Sequence, residues 1–168
     1  MMDTNEIDEI CLKDDDIRPY FMGTVAADGL PEKLPPYSMF CLNLQASHLP
    51  GNHWTTLNID IEKPGTVIYF DSYGRKPPMH IRDYFTLHKR QIIYNDSQVQ
   101  SPFSESCAAI SIVVMKLWAH HYPTLEIIHR FLPNPWTQPF ISEGLSENVI
   151  SLLTGKKPGQ IMPPFENE

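Results

Sequence analysis

The stretch that most constrains this chain is residues 108–119, AAISIVVMKLWA, whose single charged residue is Lys116. A segment apolar on nearly every side reads as a central, enclosed helix. The rest of the chain must therefore supply layers to cover it. The helix is expected to run from Ser106 or Cys107 to His121, and a polar loop, Gln100-Ser101-Pro102-Phe103-Ser104-Glu105, leads into it. A cysteine at such a boundary meets the partial positive charge and free N–H groups of a helix N-terminus, which favour the thiolate. Cys107 is thus a candidate nucleophile.

The 168 residues fit one domain, 1–168, with 158–168 as a mobile tail. With 42% apolar and 20% charged residues the composition is that of an ordinary soluble protein. No apolar run reaches bilayer length and the first residues are acidic rather than basic and then apolar, so a chain used on the cytosolic side of membranes, not secreted, is expected. Three cysteines, Cys11, Cys41 and Cys107, without CxxC or CxxH spacing, suggest neither a disulfide framework nor a zinc site. A net charge of −7 argues against a nucleic-acid surface.

Along the chain, residues 1–18 read as a short amphipathic helix around Ile7, Ile10 and Cys11, closed by the acidic triplet Asp14-Asp15-Asp16 as a solvated turn. Residues 19–24 suit a short extended segment ending at a glycine turn, and 28–36 a proline-rich surface loop. Strands are expected over 37–44, where Cys41 is a buried hydrophobe, over 54–59 and over 66–70, with Glu62-Lys63-Pro64-Gly65 as the turn between the last two. A helix follows from Met79 or Ile81 to Arg90, with His80 and His88 as surface or packing residues, and then a short strand over 91–94. Residues 124–131 and 146–153 read as helices, the second capped by Gly155, and Trp136 as a packing residue. His120 and His121 stand about 20 Å along the helix from Cys107 and suit capping of its last carbonyls.

The hairpin carries the most useful geometry. Pairing centred on Glu62 sets Asn58 against Thr66 and His53 against Asp71, and opposed side chains share a face. A histidine and a carboxylate would then sit side by side at the open end of the hairpin. Hydrolysis by a thiol needs a thiolate, an imidazole that takes and returns a proton, an orienter for that imidazole, and donors for the oxyanion. Cys107, His53, Asp71, and the Gln100 carboxamide with the Cys107 N–H fill those four roles.

These residues carry a resemblance. His53-Trp54, then Asp71-Ser72-Tyr73-Gly74 after a β-branched strand, then Gln100-Ser101-Pro102 and Cys107 resemble the adenovirus-type cysteine endopeptidase (adenain) family, whose order is His, acidic residue, Gln, Cys. The likeness extends to Pro19-Tyr20-Phe21-Met22-Gly23-Thr24, to Gly51-Asn52, and to Leu152-Leu153-Thr154-Gly155. It implies an α+β fold, a mixed β-sheet packed against a central buried helix carrying the nucleophile, with the site residues in the roles just given. It implies also a viral or virus-derived cysteine endopeptidase that processes precursor polypeptides, virion components among them, in host cytoplasm or nucleus and in the virion. SUMO-deconjugating proteases share the residue order with the glutamine one residue nearer the cysteine. A deconjugating isopeptidase is the second enzymatic reading, and a binding module that keeps the fold the non-enzymatic one.

Departures from the family are specific. Ala108 follows the nucleophile where glycine is usual, and Ser111 replaces a second cysteine. Lys89 stands where the family's activator peptide is bonded through cysteine. The residues call for no cofactor; a non-covalent activating peptide stays compatible with the resemblance, and the acidic charge speaks against activation by DNA.

Overall fold

The computed structural model describes residues 2–44, 53–100 and 107–132. The expected helix over 146–153, Gly155, Trp136, Gly51-Asn52, the loop 101–106 and the tail lie outside these residues.

Five strands, β1 (Phe21–Ala26), β2 (Ser38–Asn43), β3 (Trp54–Ile59), β4 (Thr66–Phe70) and β5 (Gln91–Tyr94), form one sheet in sequence order. The outer pairs β1–β2 and β4–β5 are parallel and the inner pairs β2–β3 and β3–β4 antiparallel, so the sheet is mixed. Its three inner strands alternate between two buried faces, as the period of two requires. Met39, Cys41, Trp54, Ile68 and Phe70 enter one core, which they share with helices α1 (Thr4–Lys13) and α3 (Cys107–Ala119). Phe40, Leu42, Leu57, Ile59, Val67 and Tyr69 enter the other, beneath α2 (Met79–Leu87). The protein is α+β.

α3 is buried along almost its whole length, as an all-apolar helix must be. Its one charged residue, Lys116, corrects the reading of the acidic triplet. Asp14 is buried, its Oδ1 accepting from the N–H groups of Asp16 and Ile17, while Lys116 Nζ donates to Asp14 Oδ2 at 2.7 Å and to Asp16 Oδ2 at 2.6 Å. His120 Nε2 joins Asp16 Oδ2 at 3.0 Å, so its ring meets a carboxylate. The turn ties α1 to the enclosed helix instead of facing water. A second correction concerns Gly23, which lies inside β1 with φ +128, where the pairing with β2 slips, rather than ending the segment. After α3, Thr124–Glu126 is helical (α4) and Ile127–Phe131 continues it as a π-helix.

The bend between β3 and β4 is fixed by Asp60, at φ +62. Its Oδ1 accepts from Gly65 N–H at 2.8 Å, and its carboxylate meets Arg90 in two hydrogen bonds, of 2.9 and 2.8 Å. A buried, forked ion pair of this kind fixes geometry as well as charge.

Candidate active site

The strand pairing places the base. β3 and β4 pair with Thr56 against Phe70 and Asn58 against Ile68, two residues from the expected register in which Asn58 faced Thr66. The reason lies in the bend: Asp60 bonds back to Thr66, which centres the turn on Lys63 rather than Glu62. A shift of two preserves the face. His53, just before β3, and Asp71, just after β4, therefore become diagonal neighbours at one end of the hairpin, within reach of long side chains. His53 Nε2 and Asp71 Oδ1 stand 2.8 Å apart, with Asp71 fully buried and His53 nearly so. The position directly across from His53 falls to Tyr73, whose ring stacks on the imidazole at 5.0 Å and 28°. The Arg75 guanidinium lies 4.8 Å from the centre of the Tyr73 ring.

Asp71 is held from several sides. Its Oδ1 also accepts from Tyr73 N–H at 2.8 Å. The Asn95 carboxamide spans the Asp71 backbone, accepting from its N–H at 2.8 Å and donating to its C=O at 2.6 Å. Asn95 thus serves Asp71 as a neighbouring strand would, and Asn95 is itself buried. No local signal in the sequence marked Asn95.

Cys107 is the first residue of α3 and is buried. Its sulfur lies close enough to His53 to raise the imidazole's pKa. Because Nε2 is engaged by Asp71, Nδ1 is the ring nitrogen left for the sulfur. Burial alone would push the imidazole pKa down from 6.5, but the hydrogen bonds to Asp71 and to Cys107, followed by their charges, outweigh it and raise His53 to about 9. The ring is therefore cationic at neutral pH. A cationic imidazole between a carboxylate and a sulfur at a helix N-terminus can take part in nucleophilic thiol chemistry.

Gln100 is fully buried beside the same turn. Ser72 C=O accepts from the N–H groups of Val99 and Gln100 at 2.8 and 3.0 Å, and Ser72 Oγ–H donates to Gln100 Oε1 at 2.5 Å. The contacts of Gln100 shown here thus run to Ser72 and, through its C=O, to the Gln98 side chain. Ser72, Tyr73 and Asn95 escaped the sequence reading, which gave a role within Asp71-Ser72-Tyr73-Gly74 to Asp71 alone. His88, as expected, serves packing: its ring nitrogens lie 2.8 Å from the carbonyls of Tyr84 and Glu32. Among the described residues no three His, Cys, Asp or Glu side chains converge as metal ligands would.

No family model and no curated protein matches the sequence. Among solved structures, the crystal structure of ASFV pS273R protease superposes with a TM-score of 0.54 at 15% identity, over 85% of this chain and 66% of that one. In fold the chain resembles a protease. It spans about two thirds of that protein's length, 66%, and at 15% identity the likeness is one of architecture. The α+β arrangement implied by the sequence resemblance is thus met by a mixed sheet whose fold is similar to that of a viral protease.

Proposed function

We propose that the chain is a viral or virus-derived cysteine endopeptidase that cuts precursor polypeptides, virion components among them. Its place of action would be host cytoplasm or nucleus and the virion. The observation that carries this reading is the His53 ring held between the Asp71 carboxylate and Cys107 at the start of α3. Each residue then has a task. The Cys107 thiolate attacks the scissile carbonyl carbon, and the displaced electron pair collects on oxygen, where the Gln100 carboxamide and the Cys107 N–H receive it. As the C–N bond breaks, His53 Nδ1 delivers its proton to the leaving amine and a thioester remains. Water attacks the thioester, His53 takes the proton, and the thiolate leaves with the acid product released. Asp71 keeps the ring oriented and charged.

The raised imidazole fixes a pH limit. Proton delivery is available while His53 is protonated, so kcat/KM should fall on an alkaline limb near pH 9. Iodoacetamide labelling tests the thiol, and cleavage of short peptides with glycine or small residues near the scissile bond tests the reaction. Both signals should disappear in Cys107→Ala. A Cys107 that alkylates only as an ordinary thiol, with a midpoint near about 8.5, would overturn the proposal. Cleavage of ubiquitin-like fusions with no action on peptides would assign the site to deconjugation instead.

A further inference from the structure

We propose that Ser72 is a positioning residue for the oxyanion donor, turning and polarising the Gln100 carboxamide towards the oxygen that gains charge. The inference rests on the reading of Cys107, His53 and Gln100 given above and adds to it a residue that the constellation of four does not contain. A glutamine carboxamide rotates broadly about its last torsion, so a buried one is aimed by the partners of its two ends, the one on its oxygen among them. For Gln100 that partner is the Ser72 hydroxyl, at 2.5 Å.

Three further observations converge on the same turn. The Ser72 carbonyl fixes the Gln100 backbone through the Val99 and Gln100 N–H groups, so one residue sets both ends of the glutamine. Ser72 is 1% exposed and Gln100 0%, which keeps water from competing for either group. Gly74, at φ +70, lets the turn lie against 97–98, since a Cβ there would come within 2.9 Å of the Ser97 carbonyl carbon. A donor on the amide oxygen draws density from the nitrogen and strengthens its N–H groups, a cooperative gain available in a dry site. Since Ser72 follows Asp71 directly, one turn of chain holds both the orienter of the base and the aim of the donor.

The experiment compares two probes on the full chain. Iodoacetamide forms its S–C bond as iodide leaves and generates no oxyanion, so it reports Cys107 and His53 alone. A short peptide aldehyde ending in glycinal is attacked at its carbonyl carbon. The C=O electron pair moves to oxygen, which stays charged or takes the imidazolium proton, so its affinity reports the donors. Ser72→Ala should alkylate within about twofold of the unsubstituted rate and with the same pH midpoint, while aldehyde affinity and kcat fall about tenfold or more and KM changes little. Ser72→Thr, which keeps the hydroxyl, should recover most of the loss, and Ser72→Cys, a weaker donor of similar size, should lie between. Should Ser72→Ala fail to fold, the same comparison is read from Ser72→Cys and Ser72→Thr. A parallel fall of alkylation and aldehyde affinity would reduce Ser72 to a loop-holding residue, and unchanged aldehyde affinity would remove its role altogether. Ordinary alkylation in the unsubstituted protein would instead overturn the reading of the site, and this inference with it.

Discussion

Replacing Asp71 with asparagine removes a buried charge and keeps an oxygen where His53 Nε2 and the Tyr73 N–H now meet Asp71 Oδ1, each at 2.8 Å. Only the electrostatics should change. His53 stands at about 9 against its ordinary 6.5, although burial by itself pushes it down. The distance from 6.5 to about 9 corresponds to about 3 kcal/mol of preference for the charged ring, an upper figure that Asp71 shares with Cys107. Because the folded value is the higher one, this stabilisation is complete below about pH 6.5 and is lost as pH climbs through about 9. The unsubstituted protein should therefore lose stability across that window. Asp71→Asn should be about 2 kcal/mol less stable at pH 6, and its stability should be nearly level from pH 6.5 to 9, because most of the proton linkage has gone. Urea midpoints taken at half-unit pH steps measure the first effect, and the His53 Cε1–H NMR shift measures the titration directly. A variant whose His53 still titrates near 9 would refute the assignment of that rise to Asp71.

Other perturbations probe the supports. Asn95→Ala leaves the buried N–H and C=O of Asp71 without the carboxamide that spans them, and should cost about 2–3 kcal/mol in urea unfolding along with a fall in kcat/KM. A loss below about 0.5 kcal/mol would mean that the backbone finds other partners. Gly74→Ala combines a φ of +70 with a Cβ 2.9 Å from the Ser97 carbonyl carbon, and should cost about 1–3 kcal/mol of stability, read as a lowered thermal midpoint, while displacing Gln100. Lys116→Met strips the buried Asp14 of its cation and should cost about 3 kcal/mol at pH 7. Asp16, lowered chiefly by its hydrogen bond from Lys116, contributes stability above its unfolded pKa of about 3.8 that is lost as pH falls through its lowered folded value. The difference between variant and parent should accordingly narrow at pH 3 in thermal unfolding.

What could be read from the sequence was local or periodic. The apolar run of α3, the alternation in β3, the β-branched and aromatic run of β4, and the turn at Glu62-Lys63-Pro64-Gly65 all express short-range patterns, and each appears where expected. The hairpin register was off by two because the centre of the bend is set by Asp60, which adopts a left-handed conformation and reaches Arg90, thirty positions away in sequence. The meeting of His53 with Asp71 survived because an error of two leaves both side chains on one face. Asp14 looked solvated because its cation, Lys116, is 102 residues distant. Asn95 and Ser72 were hidden for the same reason: their partners, the Asp71 backbone and Gln100, come from other segments, and a lone Asn or Ser in a turn-rich stretch carries no mark of what it will hold.

The sheet pairs its strands in the order in which they occur in the chain, and His53 and Asp71 both belong to its central hairpin. The sulfur arrives separately, on a helix whose burial depends on docking against a finished sheet face. During synthesis the carboxylate and imidazole can be in place while the thiol has yet to emerge, and a partly folded chain holds no competent assembly of the three.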